Sequence, residues 1–105
     1  METIDNLMID DSDLEGSYDW HEAKEQIELL NSQAYKGFNY WRLPTKEELN
    51  VMYVNKNEIG GFSTYSYWSN SEYNAIYAWF QYFYNGYQSS HNKYDYGLVR
   101  CVRSV

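Results

Sequence analysis

The chain is poor in the residues that staple or punctuate a fold. It has one cysteine, Cys101, so no disulfide can form within it and nothing in it depends on an oxidising compartment. Pro44 is its only proline and glycines number six in 105 residues, which excludes a Pro- or Gly-rich linker, and no repeat or low-complexity tail is present. No apolar run approaches the ~20 residues of a membrane-spanning helix. The N-terminal stretch from Met1 to Asp13 lacks the basic segment and apolar core of a signal peptide. Positive charge is scarce too: 8 Lys and Arg stand against 15 Asp and Glu, for a formal net charge of −7. That balance argues against nucleic acid and anionic membrane as partners. The expected setting is the cytoplasm or a phage or surface assembly, although a domain cut from a longer exported protein would read the same.

Aromatic residues are what the chain has in excess. Most of its 13 tyrosines, two of its tryptophans and two of its phenylalanines lie between Tyr65 and Tyr96. A domain of this size keeps much of its surface in water, so one core cannot enclose them all. Exposed tyrosine is large, stiff and half apolar, which suits it to contact. Acid is concentrated elsewhere, in Asp10 to Glu15, near Glu22 to Glu28, and at Glu47, Glu48 and Glu58. The aromatic third is nearly neutral. A ring-rich neutral face on an acidic body reads as a binding surface.

The pattern predicts one α+β domain over residues 1–105. Residues 4–9 read as a first strand. Asp19 with Glu22 forms a capping box, and Trp20, Ala23, Ile27 and Leu30 recur at helical spacing up to a helix end near Asn31 or Ser32. Thr45 with Glu48 starts a second, shorter helix with Leu49, Met52 and Tyr53 on its apolar face. Gly60-Gly61 breaks the chain, and short strands follow. Asn85-Gly86 predicts a two-residue hairpin turn within Tyr77 to Lys93, pairing Tyr84 with Tyr87, Tyr82 with Ser89 and Phe80 with His91. Only one face of the hairpin is expected to lie against the helices, with Trp79 and Phe83 as its anchors. Phe80, Tyr82, Tyr84 and Tyr87 then form an outward stripe. Leu98 to Val102 reads as the last strand.

Few residues carry chemistry. Asp11, Asp13 and Glu15, followed by Gly16 and by Glu22, approach a Ca²⁺-binding loop. No helix precedes that loop, and the capping box already accounts for Glu22, so a solvated acidic loop is the expected reading. His21 and His91 lie far apart without a Cys or Ser partner at a recognisable spacing, which supports neither a triad nor a zinc site. Cys101 reads as a small buried hydrophobe. Neither a cofactor nor catalysis is expected.

Several blocks resemble a known family. They are Trp20-His21-Glu22-Ala23-Lys24, Trp41 to Leu49 (WRLPTKEEL), Ile59 to Ser63, Tyr67 to Glu72 (YWSNSE), Tyr77-Ala78-Trp79, Asn85-Gly86 and Val99 to Arg103 (VRCVR). In this order, from about Leu7 to Arg103, they are similar to the Legionella collagen-like protein C-terminal domain family. The resemblance implies a C-type-lectin-like fold, related to that of the formylglycine-generating enzymes, with two helices on small twisted antiparallel sheets and the first and last strands close together. Those enzymes need a pair of active-site cysteines, and this chain has one. The Glu-Pro-Asn, Gln-Pro-Asp and Trp-Asn-Asp signatures of Ca²⁺-dependent sugar binding are absent. Variable proteins of diversity-generating retroelements share the fold. In them a C-terminal stretch is rewritten at adenines, so that asparagine-type codons become Tyr, Ser, His, Asp, Phe, Ile, Ala, Gly or Leu but never Lys, Gln, Glu, Met or Trp.

The expected function is a non-enzymatic module that presents this surface to a protein or glycan. The expected contact residues are Tyr73, Asn74, Ile76, Tyr77, Phe80, Tyr82, Tyr84, Tyr87, Ser89, His91, Tyr94, Asp95 and Tyr96. The alternative is an assembly subunit whose aromatic face is a homo-oligomer interface.

Overall fold

Both helix starts read from the sequence are present, and they set the frame. The Glu22 N–H donates to Asp19 Oδ1 at 2.8 Å and the Asp19 N–H donates to Glu22 Oε1 at 3.0 Å, closing a capping box at the head of α1 (Trp20–Ser32). Thr45 and Glu48 repeat the arrangement at the head of α2 (Lys46–Val54). A one-turn α3 (Lys56–Ile59) continues from α2 through Asn55 and adds a third helix to the two expected. The computed structural model describes residues 1–105. No helix is long and apolar enough to cross a membrane.

The strands form two small antiparallel sheets. The single strand expected at residues 4–9 is instead a hairpin, β1 (Glu2–Ile4) and β2 (Leu7–Ile9). Asp5 and Asn6 turn the chain at φ 51° and 62°, a conformation that Asp and Asn tolerate better than most residues. The last strand, β6 (Val102–Ser104), starts later than expected and pairs with β2, so the two ends of the chain meet in one sheet ordered β1-β2-β6. The second sheet, β3-β4-β5, comprises β3 (Ser66–Glu72), β4 (Tyr77–Tyr82) and β5 (Gln88–Asn92).

Both faces of this second sheet are covered. Trp68, Ala78 and Phe80 point into a cluster with Trp20, Ala23 and Ile27 of α1, joined by Trp41, Leu43, Val99 and Cys101. Tyr67 and Phe83 point the other way, into a cluster with Leu49 and Met52 of α2, Leu7 and Ile9 of β2, Ile59 and Val102. Neighbouring residues on β3 thus serve opposite cores, as the two-residue period of a strand requires. The expectation that only one face would meet the helices fails for this reason, and with it the outward placement of Phe80. That ring is 3 % exposed. Trp79 is half-buried on the α2 side, with Lys46 Nζ 3.6 Å from its ring centroid.

The hairpin loop is longer than the expected two residues. The Tyr82 N–H donates to Tyr87 O at 2.9 Å, and the Gly86 N–H donates to Tyr82 O at 2.8 Å. Phe80 therefore pairs with Ser89 and Ala78 with His91, two positions away from the expected partners. A two-residue shift preserves which side chains share a face. Gly86 is held for two reasons: its φ is 81°, and a Cβ there would lie 2.5 Å from the Tyr53 ring.

A buried ionic knot ties the second sheet to the acidic loop. Arg100 is fully buried. Its Nε donates to Asp13 Oδ1 at 2.8 Å, and its Nη1 donates to the carbonyls of Asp10 and Gly60 at 2.9 and 3.1 Å. The Tyr67 hydroxyl donates to the other Asp13 oxygen at 2.6 Å. Burial, together with this bond to a carboxylate, pushes the Tyr67 hydroxyl pKa well above the ordinary phenol value.

Candidate functional site

On the face of β4 turned to α1, burial falls toward the hairpin loop, and that gradient positions the site. On the α1 side of the sheet, Ala78 and Phe80 are enclosed, Tyr82 is half-buried, and the rings beyond it emerge into solvent. Tyr84 and Tyr87, on the loop, are 65 % and 60 % exposed. They are nonetheless held in place. Tyr82 stacks on Tyr87 with centroids 6.4 Å apart and 14° between planes, and it meets Tyr84 edge-on at 5.6 Å. Phe80 supports Tyr82 from below at 4.9 Å. The exposed rings therefore rest on a ladder rooted in the core, which limits the rotamer freedom a contact would otherwise have to remove.

His91 extends the ladder along β5. Its ring centroid lies 3.7 Å from that of Phe80, and its Nδ1 is 3.2 Å from Asp95 Oδ2. Ser89 lies between Tyr87 and His91 on the same face, half-buried and paired with Phe80. Tyr96 lies close by: it lines a small recess with Phe80, His91, Ser66 and Trp68. The structure thus brings together Tyr82, Tyr84, Tyr87, Ser89, His91, Asp95 and Tyr96, with Phe80 as their buried support.

The remaining expected contact residues lie elsewhere. Tyr73, Asn74, Ile76 and Tyr77 form the β3–β4 turn, at the far end of β4. There the Asn74 Oδ1 accepts from the Ile76 and Tyr77 N–H groups, both at 2.8 Å. Tyr73 packs edge-on to Trp79 at 5.8 Å, on the α2 side of the sheet. Tyr94 lies beside His21 at the head of α1, with ring centroids 6.0 Å apart. The single surface expected from the sequence is therefore divided into a hairpin tip, a β3–β4 turn at the other end of the strand and a lone ring near α1.

One residue that sequence reasoning missed joins the tip. Tyr65 is 72 % exposed, and with the 66 %-exposed Tyr96 it lines a groove of about 640 Å³. Leu14 and Leu98 contribute apolar lining. Asp13, Ser17, Ser63 and Ser66 supply polar groups. Three segments distant in sequence build this groove. The only local signal was that Tyr65 opens the aromatic run.

The acidic loop does not gather its carboxylates. Lys36 holds Asp11 and pulls its carboxyl pKa below the usual range. Asp13 is bound to Arg100 and Tyr67, Glu22 closes the helix cap, and Glu15 makes no ion pair. No group of three His, Cys, Asp or Glu side chains could hold a metal ion. Cys101 is enclosed, and burial, with the Asp10 carboxylate nearby, pushes its thiol up to about 12. It is held as the inert thiol at neutral pH.

The cations show a consistent pattern. Lys36, Arg42, Lys93 and Arg100 are in ion pairs with carboxylates. Arg42 is bidentate to Glu48, at 2.6 and 2.9 Å, and Lys93 donates to Glu72 at 2.7 Å. Lys24 lies over Trp20, Lys46 over Trp79, Lys56 over Tyr53 and Arg103 over Phe38. No Lys or Arg lies over Tyr65, Tyr82, Tyr84, Tyr87 or Tyr96.

A search of the curated proteins finds no match to the chain. A family model described as the Lcl C-terminal domain matches residues 4–103. That span takes in all three helices, strands β2 to β5, most of β6 and the aromatic tip, and on it the chain belongs to the Lcl C-terminal domain family.

Proposed function

We propose that the hairpin tip and the groove beside it bind a protein or glycan ligand, and that the domain works by contact without catalysis. The observation that carries this is the state of the tip rings: Tyr84, Tyr87, Tyr65 and Tyr96 are exposed, and the first two pack against Tyr82, which rests on buried Phe80. Rings held this way offer contact area at little entropic cost, and the serines around them offer adaptable hydrogen bonds.

A C-type-lectin-like reading of the fold belongs to the same proposal. The pairing of β2 with β6, which joins the two ends of the chain, supports it. Retroelement diversification is the finer extension. Phe80, Tyr82, Tyr84, Tyr87, Ser89 and His91 are all residue types that such rewriting can produce; five of them lie outside the core, whereas Phe80 is inside it. A reverse-transcriptase gene next to the coding sequence, with a near-copy of its 3′ end differing at adenines, is the observation that decides this extension. Its absence would remove diversification and leave the contact surface untouched.

The binding test combines arrays with one double variant. Labelled domain is applied to protein and glycan arrays, and Tyr84→Ala with Tyr87→Ala is compared with the parent. The variant loses the parent's hits while its stability changes by no more than about 1 kcal/mol, because neither ring is in the core. Hits that survive the double substitution would move the binding surface elsewhere. A dilution-stable oligomer that hides these rings, seen by light scattering, would assign the face to self-association instead.

A further inference from the structure

We propose that the groove between Tyr65 and Tyr96 receives a lysine or arginine side chain from a basic protein partner. This rests on the reading of the tip as a contact surface and names the chemistry of what it contacts. The groove measures about 640 Å³. Its lining suits a long amphipathic side chain: the aliphatic stem would pack along Leu14 and Leu98, and the charged head would meet the phenol rings of Tyr65 and Tyr96.

Charge points the same way. All eight Lys and Arg side chains of the domain already face a carboxylate or a ring of the domain itself. The fold uses seven cation–ring contacts, and none of them falls on a tip tyrosine. The groove rings Tyr65 and Tyr96 therefore have no internal cation to cover them. Carboxylates are in surplus, with a net charge of −7. Glu15 sits between the groove-lining Leu14 and Gly16 without an ion pair, and no Lys or Arg lines the groove. Asp13 is held by Arg100 and Tyr67, one bond to each oxygen, and a carboxylate oxygen can accept a second. A neutral saccharide could use the rings and the Ser17 and Ser66 hydroxyls but would gain nothing from this charge. An anionic ligand would be repelled by it.

The test is an NMR titration of ¹⁵N-labelled domain with hexalysine, with fully Nε-acetylated hexalysine and with cellohexaose. Hexalysine is expected to shift the amides of Ser63–Ser66 and Tyr96–Leu98 saturably, and the two neutral probes are not. Tyr65→Ala with Tyr96→Ala weakens hexalysine binding about tenfold, the combined effect of two exposed cation–ring contacts. Glu25→Gln with Glu28→Gln, on the exposed face of α1, changes it less than about twofold. The proposal is overturned by the absence of saturable shifts at the groove, by shifts confined to α1, by indifference to the tyrosine substitutions, or by equal shifts with either neutral probe. Any of these results, alongside array hits lost on substituting Tyr84 and Tyr87, would leave the tip a contact surface and remove only the cationic partner.

Discussion

Phe80→Ala will destabilise the domain by about 3–5 kcal/mol, the usual cost of truncating an enclosed aromatic ring. Phe80 contacts Trp68, Tyr82 and His91 and lies in the same cluster as Trp20 and Ile27 of α1. Its removal opens a cavity where the helix meets the sheet and takes away the support beneath Tyr82. Chemical denaturation measures the effect, and the loss should appear as a lower midpoint with little change in slope. A loss below about 1 kcal/mol would show that Phe80 behaves as a surface ring. Read together with the nearly neutral Tyr84→Ala and Tyr87→Ala pair, this variant separates the part of the aromatic ladder that holds the fold from the part that is free to touch something else.

Asp13→Ala will have an effect of similar size for a different reason. Arg100 cannot reach water, and Asp13 supplies the only carboxylate in contact with it. Without Asp13, a buried guanidinium keeps two backbone carbonyls and no counter-charge, and the Tyr67 hydroxyl loses its acceptor. Breaking a buried pair by removing one partner costs about 3–5 kcal/mol. For a domain of this size that is a fall in Tm of more than about 12 °C. Arg100 Nη2 already lacks a partner, so the knot has no spare hydrogen bonds with which to compensate. A fall of only a few degrees would mean that the carbonyls of Asp10 and Gly60 suffice to hold the charge.

Local features of the fold could be read from the sequence because their physics is local. Each capping box involves four consecutive residues, and both formed as expected. Asn85 and Gly86 lie within the hairpin loop, which is longer than the two-residue turn expected, and the parity of the hairpin survived because the shift was even. The Asp5-Asn6 turn went unrecognised because the strands flanking it are three residues each, too short to show an alternating pattern. What could not be read was long-range. A hairpin sequence does not reveal whether one or two helices will cover it. Here α1 and α2 take opposite faces, which turns Phe80 from an outward ring into the floor of the outward ones. The same limit hid the groove, whose walls come from the acidic loop, the segment before β3 and the segment before Val99. Composition alone suggested one extended tyrosine surface. Strand β4 separates it, placing Tyr73 and Tyr77 at one end and Tyr84 and Tyr87 at the other.

The central claim is that the tip tyrosines of the free monomer face water while Tyr67, on the other face of the same sheet, does not. Photochemically induced nuclear polarisation, which marks tyrosines accessible to a dissolved dye, tests it residue by residue at dilutions where the chain is monomeric. The account predicts strong polarisation of Tyr65, Tyr84, Tyr87 and Tyr96 and none of the enclosed Tyr67. Silence from those four rings in a monomer that still polarises Tyr40 would contradict it.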